Sequence, residues 1–407
     1  MRSRTLVTLK DLSEYLTVGF VGSMSSLFVD EGVPLLRGQN VHPFSLDLSN
    51  LKFISHETHD RWKKSELRAG DVVIVRVGYP GTACVIPEGL GQLNAASLVI
   101  VRPNPELLNP YYLAYVLNSP WGKAQIRARL VGSAQQVFNT TTAADLEIPA
   151  PSLKLQNRIA AVLLRYDDLI ANNTRRIKIL EEMAKLIYRE WFMEFKAPGV
   201  KLRKATADEK KVTGKDVFPE GWAIKALGEL AEDVRRSCDP TSIDPDTPYI
   251  GLEHMPRQSI ALDSWGKAQD VQSTKLSFCK GEILFGKIRP YFHKVGVAPI
   301  DGVCSTDIIV IVPIEKALKA LVLAVVSSTD FVNHATQTSQ GTKMPRANWD
   351  ILAKYRVPLP PKTELLEFNR LIEGNVKLIM NFVSANRNLR QTRDLLLPKL
   401  VSGEIEL

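Results

Sequence analysis

Apolar residues recur every three or four positions through Leu155, Ile159, Val162, Tyr166, Leu169, Ile170, Ile177, Leu180, Ala184, Ile187 and Trp191. The same rhythm returns at Leu365, Phe368, Ile372, Ile379, Phe382, Leu389 and Leu396. This spacing predicts two long helices, each with a narrow coiled-coil seam rather than a broad buried face. Polar residues interrupt the seams, Asn173 in the first and Asn375 and Asn386 in the second, a placement that sets register at some loss of stability. At about 1.5 Å per residue, a helix over 153–195 reaches roughly 60 to 65 Å. With no third helix of that length, each seam is expected to be the other's partner in an antiparallel pair. Its members are Leu155, Ile159, Ile170, Asn173, Ile177 and Leu180 on one side, and Ile372, Ile379, Phe382 and Leu389 on the other.

Outside these stretches the pattern changes to short β-branched runs broken by Gly and Pro, at 72–77, 98–101, 283–285 and 308–312, which predict strands. A short helix is expected after each set, at 110–129 and 315–335. The runs repeat with a period near 210: GDVVIVRVG at 70–78 returns as GEILFGKIR at 281–289, and SLVIVRP at 97–103 as DIIVIVP at 307–313. NPYYLAYVLNSP at 109–120 overlies KALVLAVVSSTD at 319–330, and VTLKDLSE at 7–14 corresponds to KALGELAE at 225–232. Each copy closes on a proline pair, Pro149 with Pro151 and Pro358 with Pro360, which ends a strand and introduces a helix. A duplication decides the architecture: two α+β units, each followed by a long helix.

The 407 residues allow two or three domains, and 45% apolar content rules out a chain that is mainly disordered. No run approaches the roughly 18 to 20 apolar residues of a membrane span. Residues 1–10 lack the apolar segment of a secretory signal, so a cytoplasmic location is expected. The net charge of +8 is unevenly placed, since 151–215 carries 15 Lys and Arg against 8 Asp and Glu. The strand-rich segments are close to neutral. Cys84, Cys238, Cys279 and Cys304 are scattered, without the spacing of a zinc site or a disulfide framework.

Catalytic motifs are weak. Each Gly-Lys pair, at 122, 214, 266 and 286, lacks the following Ser or Thr of a phosphate-binding loop. His56 and His59 have no third ligand at zinc spacing and are expected to be a solvated pair. Asn109-Pro-Tyr-Tyr reads as a helix cap, and Glu194-Phe-Lys196 lacks the partner strand of a metal-dependent nuclease. No metal site is expected.

Binding chemistry is more evident. Arg37, Gln39, Asn40 and His42, then Arg76 and Tyr79, then Gln135, Gln136 and Asn139 mix polar, basic and aromatic side chains in the turns of the first copy. In the second copy Lys287, Arg289, Tyr291, His293 and Lys294, followed by Gln340, Lys343, Arg346 and Asn348, do the same. Arg and Lys match guanine edges, and Asn and Gln match adenine. Near-neutral units argue that phosphate attraction alone does not supply binding.

The layout resembles the specificity subunit of Type I restriction-modification systems across essentially the whole chain. The resemblance rests on IPAP-x-L-x-x-Q at 148–156, on the run Ile170, Asn173, Ile177, Leu180, Glu181, and most specifically on the ending LLPKLVSGEIEL at 396–407. The second copy departs from it, because VPLPPKTELLE at 357–367 has no Gln matching Gln156. The resemblance implies target-recognition domains at 1–150 and 218–360, spacer helices at 151–197 and 361–407, and a linker at 198–217. Each domain then reads one half of an asymmetric bipartite DNA site, and the helices set the gap. It implies no cofactor in this chain. S-adenosylmethionine, ATP and Mg²⁺ belong to partners: two modification subunits that methylate DNA, and restriction subunits that act as motor and nuclease. A stand-alone DNA methyltransferase or nuclease with duplicated domains is the alternative enzyme reading, and a coiled-coil scaffold that binds no nucleic acid is a third.

Overall fold

The computed structural model describes residues 5–130, 137–405 and 407. The chain divides into two compact units, Met1–Ile170 with Leu389–Leu407, and Ala171–Asn388. The expected bounds set the helices apart as segments of their own. Packing instead divides each helix between the units.

In the first unit Leu6–Thr8 pairs antiparallel with Glu147–Pro149, joining the start of the globular part to its end. Between them lies an antiparallel sheet in the order Ser13–Val18, Leu98–Pro103, Val72–Val75, Ala83–Val85. Both faces of its two central strands are covered, which is why 72–75 and 98–101 read as unbroken apolar runs rather than alternating ones. A second sheet runs Asn94–Ala95, Val33–Leu36, Lys52–Ile54, Phe28–Val29, with Asn94–Ala95 parallel to Leu35 and Leu36.

The second unit repeats this plan. Ala223–Ala226 pairs with Arg356–Leu359. One sheet is ordered Ala231–Asp233, Ile308–Pro313, Ile283–Gly286, Val295–Val297. The other holds Pro248–Ile250 parallel to Gly302–Ser305. The duplication read from the sequence is therefore a duplication of fold, α+β in each copy.

The expected linker at 198–217 is structured. Leu202–Lys204 pairs with Val217–Pro219, and Thr206 and Glu209 form a capping box on helix Ala207–Thr213. The helices expected at 110–129 and 315–335 are each two helices, Pro110–Asn118 with Pro120–Leu130, and Lys319–Val326 with Thr329–Gln337. Serine breaks them. Ser119 and Ser328 adopt extended backbone, and their hydroxyls accept from the amides of Gly122 and Phe331, a capping preference that overrides a continuous apolar pattern. Gly122 is required there, because a Cβ would lie 2.2 Å from the Val116 carbonyl oxygen.

The central helix runs Leu153–Tyr188 and ends in a wider π-type turn at Arg189–Met193; the C-terminal helix runs Lys362–Ser402. In the first unit Ile159, Ala160 and Leu163 share a core with Leu397, Leu400 and Val401. Asp167 accepts from the Tyr115 hydroxyl with one carboxylate oxygen and from Arg393 with the other. In the second unit Asn173 Nδ2 donates to Asn386 Oδ1 at 2.9 Å, Ile177 packs with Ile379 and Val383, and the Trp191 and Phe368 rings lie 5.6 Å apart. Partner numbers fall as the first numbers rise, so the helices are antiparallel in both units.

Of the seam residues, Ile159, Ile177, Ile372 and Ile379 are buried, while Leu155, Ile170, Asn173, Leu180, Phe382 and Leu389 are half-buried. Leu169 is corrected to exposed, and Val383 takes the buried place next to Phe382, whose ring lies 5.6 Å from the Arg176 guanidinium. No helix among the described residues is long and apolar enough to cross a membrane.

Candidate nucleic-acid interface

In the second unit the chain leaves strand Ile283–Gly286 and passes residues 340–348. The Lys287 carbonyl accepts from the Ala347 amide at 2.9 Å, the Pro345 carbonyl accepts from the Arg289 amide at 2.7 Å, and Gln340 and Arg346 exchange two backbone bonds. Arg289 and His293 take left-handed backbone, φ 49° and 51°. Together these segments form an open groove of about 560 Å³. Lys287, Gln340, Arg346 and Asn348 line it, with Asp233 and Arg235 from the edge of the sheet. Arg346 Nε lies 3.7 Å from Asp307. Tyr291 and Lys343 are exposed on the loops that carry this lining.

Arg289, half-buried, is on the same loop but outside the lining, and two further expected residues turn away from it. The His293 ring makes a 2.8 Å hydrogen bond to the Ser327 carbonyl and lines a separate cavity of about 330 Å³ with Glu181 and Ser259; burial lowers its pKa. Lys294 Nζ donates to the Leu252 carbonyl at 2.5 Å, and burial likewise lowers its pKa. Both side chains serve the fold because their polar atoms find backbone partners inside it.

The first unit gathers its expected residues less well. The Arg76 carbonyl accepts from the Phe138 amide at 3.0 Å, matching Lys287 with Ala347, but Arg76 also turns its Nε back onto the Phe138 carbonyl at 3.2 Å. Burial lowers its pKa, and the Nε contact clasps the two segments together while Arg76 stays half-exposed. Asn40, 1% exposed, accepts from the Arg37 amide and donates to the Asp47 carbonyl, and is corrected to a turn residue. Asn139 caps helix Thr140–Ala144, as Asn348 caps Trp349–Leu352. The Arg37 guanidinium lies 5.7 Å from the Phe28 ring. Gln39, His42 and Tyr79 are exposed, Tyr79 at 82%. The turn at 37–40 adjoins Val75, from which the Tyr79 loop departs. Gln135 and Gln136 lie outside the described residues.

Sequence reading missed Asp233 and Arg235. Their spacing, two apart in extended chain, puts both on one face, but nothing in the chain marked that face as the wall of a groove. His59 is also corrected, from a solvated residue to one wholly buried, its Nδ1 3.0 Å from Asn94 and its Nε2 3.3 Å from Glu66. Asn109 caps its helix as expected. No cluster of three metal-ligating side chains occurs among the described residues.

Two copies of one fold, each presenting polar loops at matching strand ends, define a duplicated recognition protein. The chain belongs to the family of the Type I restriction modification DNA specificity domain, whose model matches residues 38–182 and 219–372. It is similar to the MjaIX specificity subunit of Methanocaldococcus jannaschii, 24% identical over 73% of this chain and 69% of that one. The EcoDI specificity subunit of Escherichia coli is 24% identical over 79% of this chain and 75% of its own. The S subunit of a Type I restriction-modification system from M. genitalium has the same fold, with a TM-score of 0.56 at 15% identity, covering 97% of this chain and 95% of that one. The protein is thus a specificity subunit of the Type I class, a DNA-recognition component rather than an enzyme. The comparisons lend no support to a stand-alone methyltransferase or nuclease.

Proposed function

We propose that each unit reads one half of an asymmetric, interrupted DNA site, and that the length of the paired helices sets the unread gap. One observation carries this reading: the two units share a fold yet line corresponding strand ends with different side chains. Two units of one plan that dock alike place unlike side chains against the base edges, and unlike side chains select unlike bases. Lys287, Arg289, Tyr291, Lys343 and Arg346 are the reading side chains of the second unit. Arg37, Gln39 and Tyr79 are those of the first.

Chemistry belongs to partners. Modification subunits carry S-adenosylmethionine, and restriction subunits carry ATP and Mg²⁺, in the cytoplasm. Ile179, Met183 and Leu186, 53, 46 and 47% exposed and spaced along one face of the central helix, supply an apolar stripe on which a modification subunit docks. Methylome sequencing of cells expressing the chain with its modification subunits is the test. The expected motif has two unlike halves separated by unspecified bases; a palindromic or uninterrupted motif overturns the proposal.

A further inference from the structure

Arg235 stands at the wall of the second unit's groove with 67% of its side chain exposed, and its Nε donates to Asp233 Oδ2 at 2.6 Å. Asp233 itself is only 6% exposed. Val234 continues the strand pairing through its amide to the Val310 carbonyl, so this is fixed backbone rather than a loose loop. Arg236, next along the chain, is engaged elsewhere, and both its terminal nitrogens bind the Glu282 carboxylate, at 2.9 and 2.5 Å.

The Asp233 contact engages one edge of the Arg235 fork and leaves its terminal nitrogens without hydrogen-bond partners among the described residues. A cation that holds phosphate works by its charge, and a carboxylate at 2.6 Å largely cancels that charge. Bidentate recognition, of a base edge as of a phosphate, works by the direction of a planar pair of donors, which the same carboxylate fixes, and guanine O6 and N7 offer a matching pair of acceptors. Arg346, whose Nε faces Asp307 at 3.7 Å across the groove lining, is a looser version of the arrangement. Asp233 Oδ1 is buried with no partner among the described residues. An acceptor left so costs the fold stability, and the hydrogen bond that Asp233 does accept comes from Arg235.

We propose that Arg235, aimed by Asp233, reads a guanine through its O6 and N7 acceptors in the half-site recognised by the second unit. The inference rests on the two-reader proposal above and names one base of it.

The test uses the full chain with its modification subunits on a duplex library randomised across both half-sites. Motifs methylated by wild type, Arg235→Ala, Arg235→Lys and Asp233→Asn are compared. Wild type is expected to demand guanine at a position that Arg235→Ala leaves open to all four bases, with discrimination there falling roughly 10- to 100-fold. Arg235→Lys keeps the charge and loses the planar fork, so it relaxes the same position. Asp233→Asn, nearly isosteric, relaxes that position and no other, whereas general damage to the unit erodes every position of its half-site. The other half-site stays unchanged throughout. An unchanged motif with uniformly weaker modification makes Arg235 a phosphate contact and overturns the inference. Erosion of the whole half-site by all three variants overturns it too. A two-part motif lacking guanine overturns the inference alone, and a wild-type motif without two parts overturns the reading beneath it.

Discussion

Gln156, on the central helix, is fully buried in the first unit; it accepts from the Asn109 amide at 2.9 Å and donates to the carbonyls of Leu107 and Pro151. The second unit has Leu365 at the corresponding place, and Asn369, one turn further on, accepts from the Ala320 amide at 3.1 Å. Both side chains anchor a long helix to the start of a shorter one. The repeat thus preserves an anchoring role while moving it to another residue, which is why the absence of a second Gln looked like a departure. The loops at the strand ends differ in the opposite sense. Arg76 and Lys287 occupy matching backbone positions, but one folds back on its own loop while the other lines open space. By register, Asp233 opposite Ile311 corresponds to Leu16 opposite Val101. Two residues further on, Arg235 stands where the first unit has Val18. Framework roles are shared, and groove chemistry is not.

The comparison can be broken most severely at the helix clasps. Asp167 serves Tyr115 and the 12%-exposed Arg393 at once. Asp167→Ala takes away the acceptor of the Tyr115 hydroxyl and leaves Arg393 with Asp394 as its remaining carboxylate, and should destabilise the first unit by about 3 kcal/mol, read by denaturant unfolding. In the second unit Glu181, 6% exposed, accepts from the Ser259 hydroxyl and the amides of Ile260 and Ala261. Glu181→Ala removes bonds from neutral donors alone, so a smaller loss of about 2 kcal/mol is expected.

Anchor substitutions give a finer contrast. Gln156→Ala removes three hydrogen bonds and Asn369→Ala removes one, so losses of about 2 and about 1 kcal/mol are expected. Equal losses would show that the number of hydrogen bonds does not set the strength of the anchor. The smallest effect concerns pH. Burial lowers the pKa of His293 below its ordinary 6.5, so the folded unit resists a proton that the unfolded chain accepts. The His293 contribution is present above about pH 6.5 and lost as pH falls through that value. His293→Gln should flatten the stability of the second unit between about pH 7 and 5, measured by thermal melts across that range.

The helices and strands were legible because each carries a periodic signal: Ile159, Ile177, Ile372 and Ile379 fall in phase, and 72–75 and 98–101 are apolar without a break. The serine breaks at 119 and 328 were hidden inside apolar stretches, since a cap is a local hydrogen bond with no period. The groove-lining residues were half legible. Lys287 and Arg346 were found by type and do line the groove, while Asn40, Arg76 and His293 have the right chemistry and face their own backbone. Type reports what a side chain can bond, and says nothing about which partner lies nearest.

From the amino-acid order alone came the duplication, the two long helices, their antiparallel pairing and the family, because hydrophobic period and motif spacing are properties of the chain itself. Tertiary structure alone decided which polar side chains remain free to meet another molecule. That depends on contacts between residues far apart in the chain, such as Arg76 with Phe138 and Lys287 with Ala347, and on a groove that exists only once those segments are packed together.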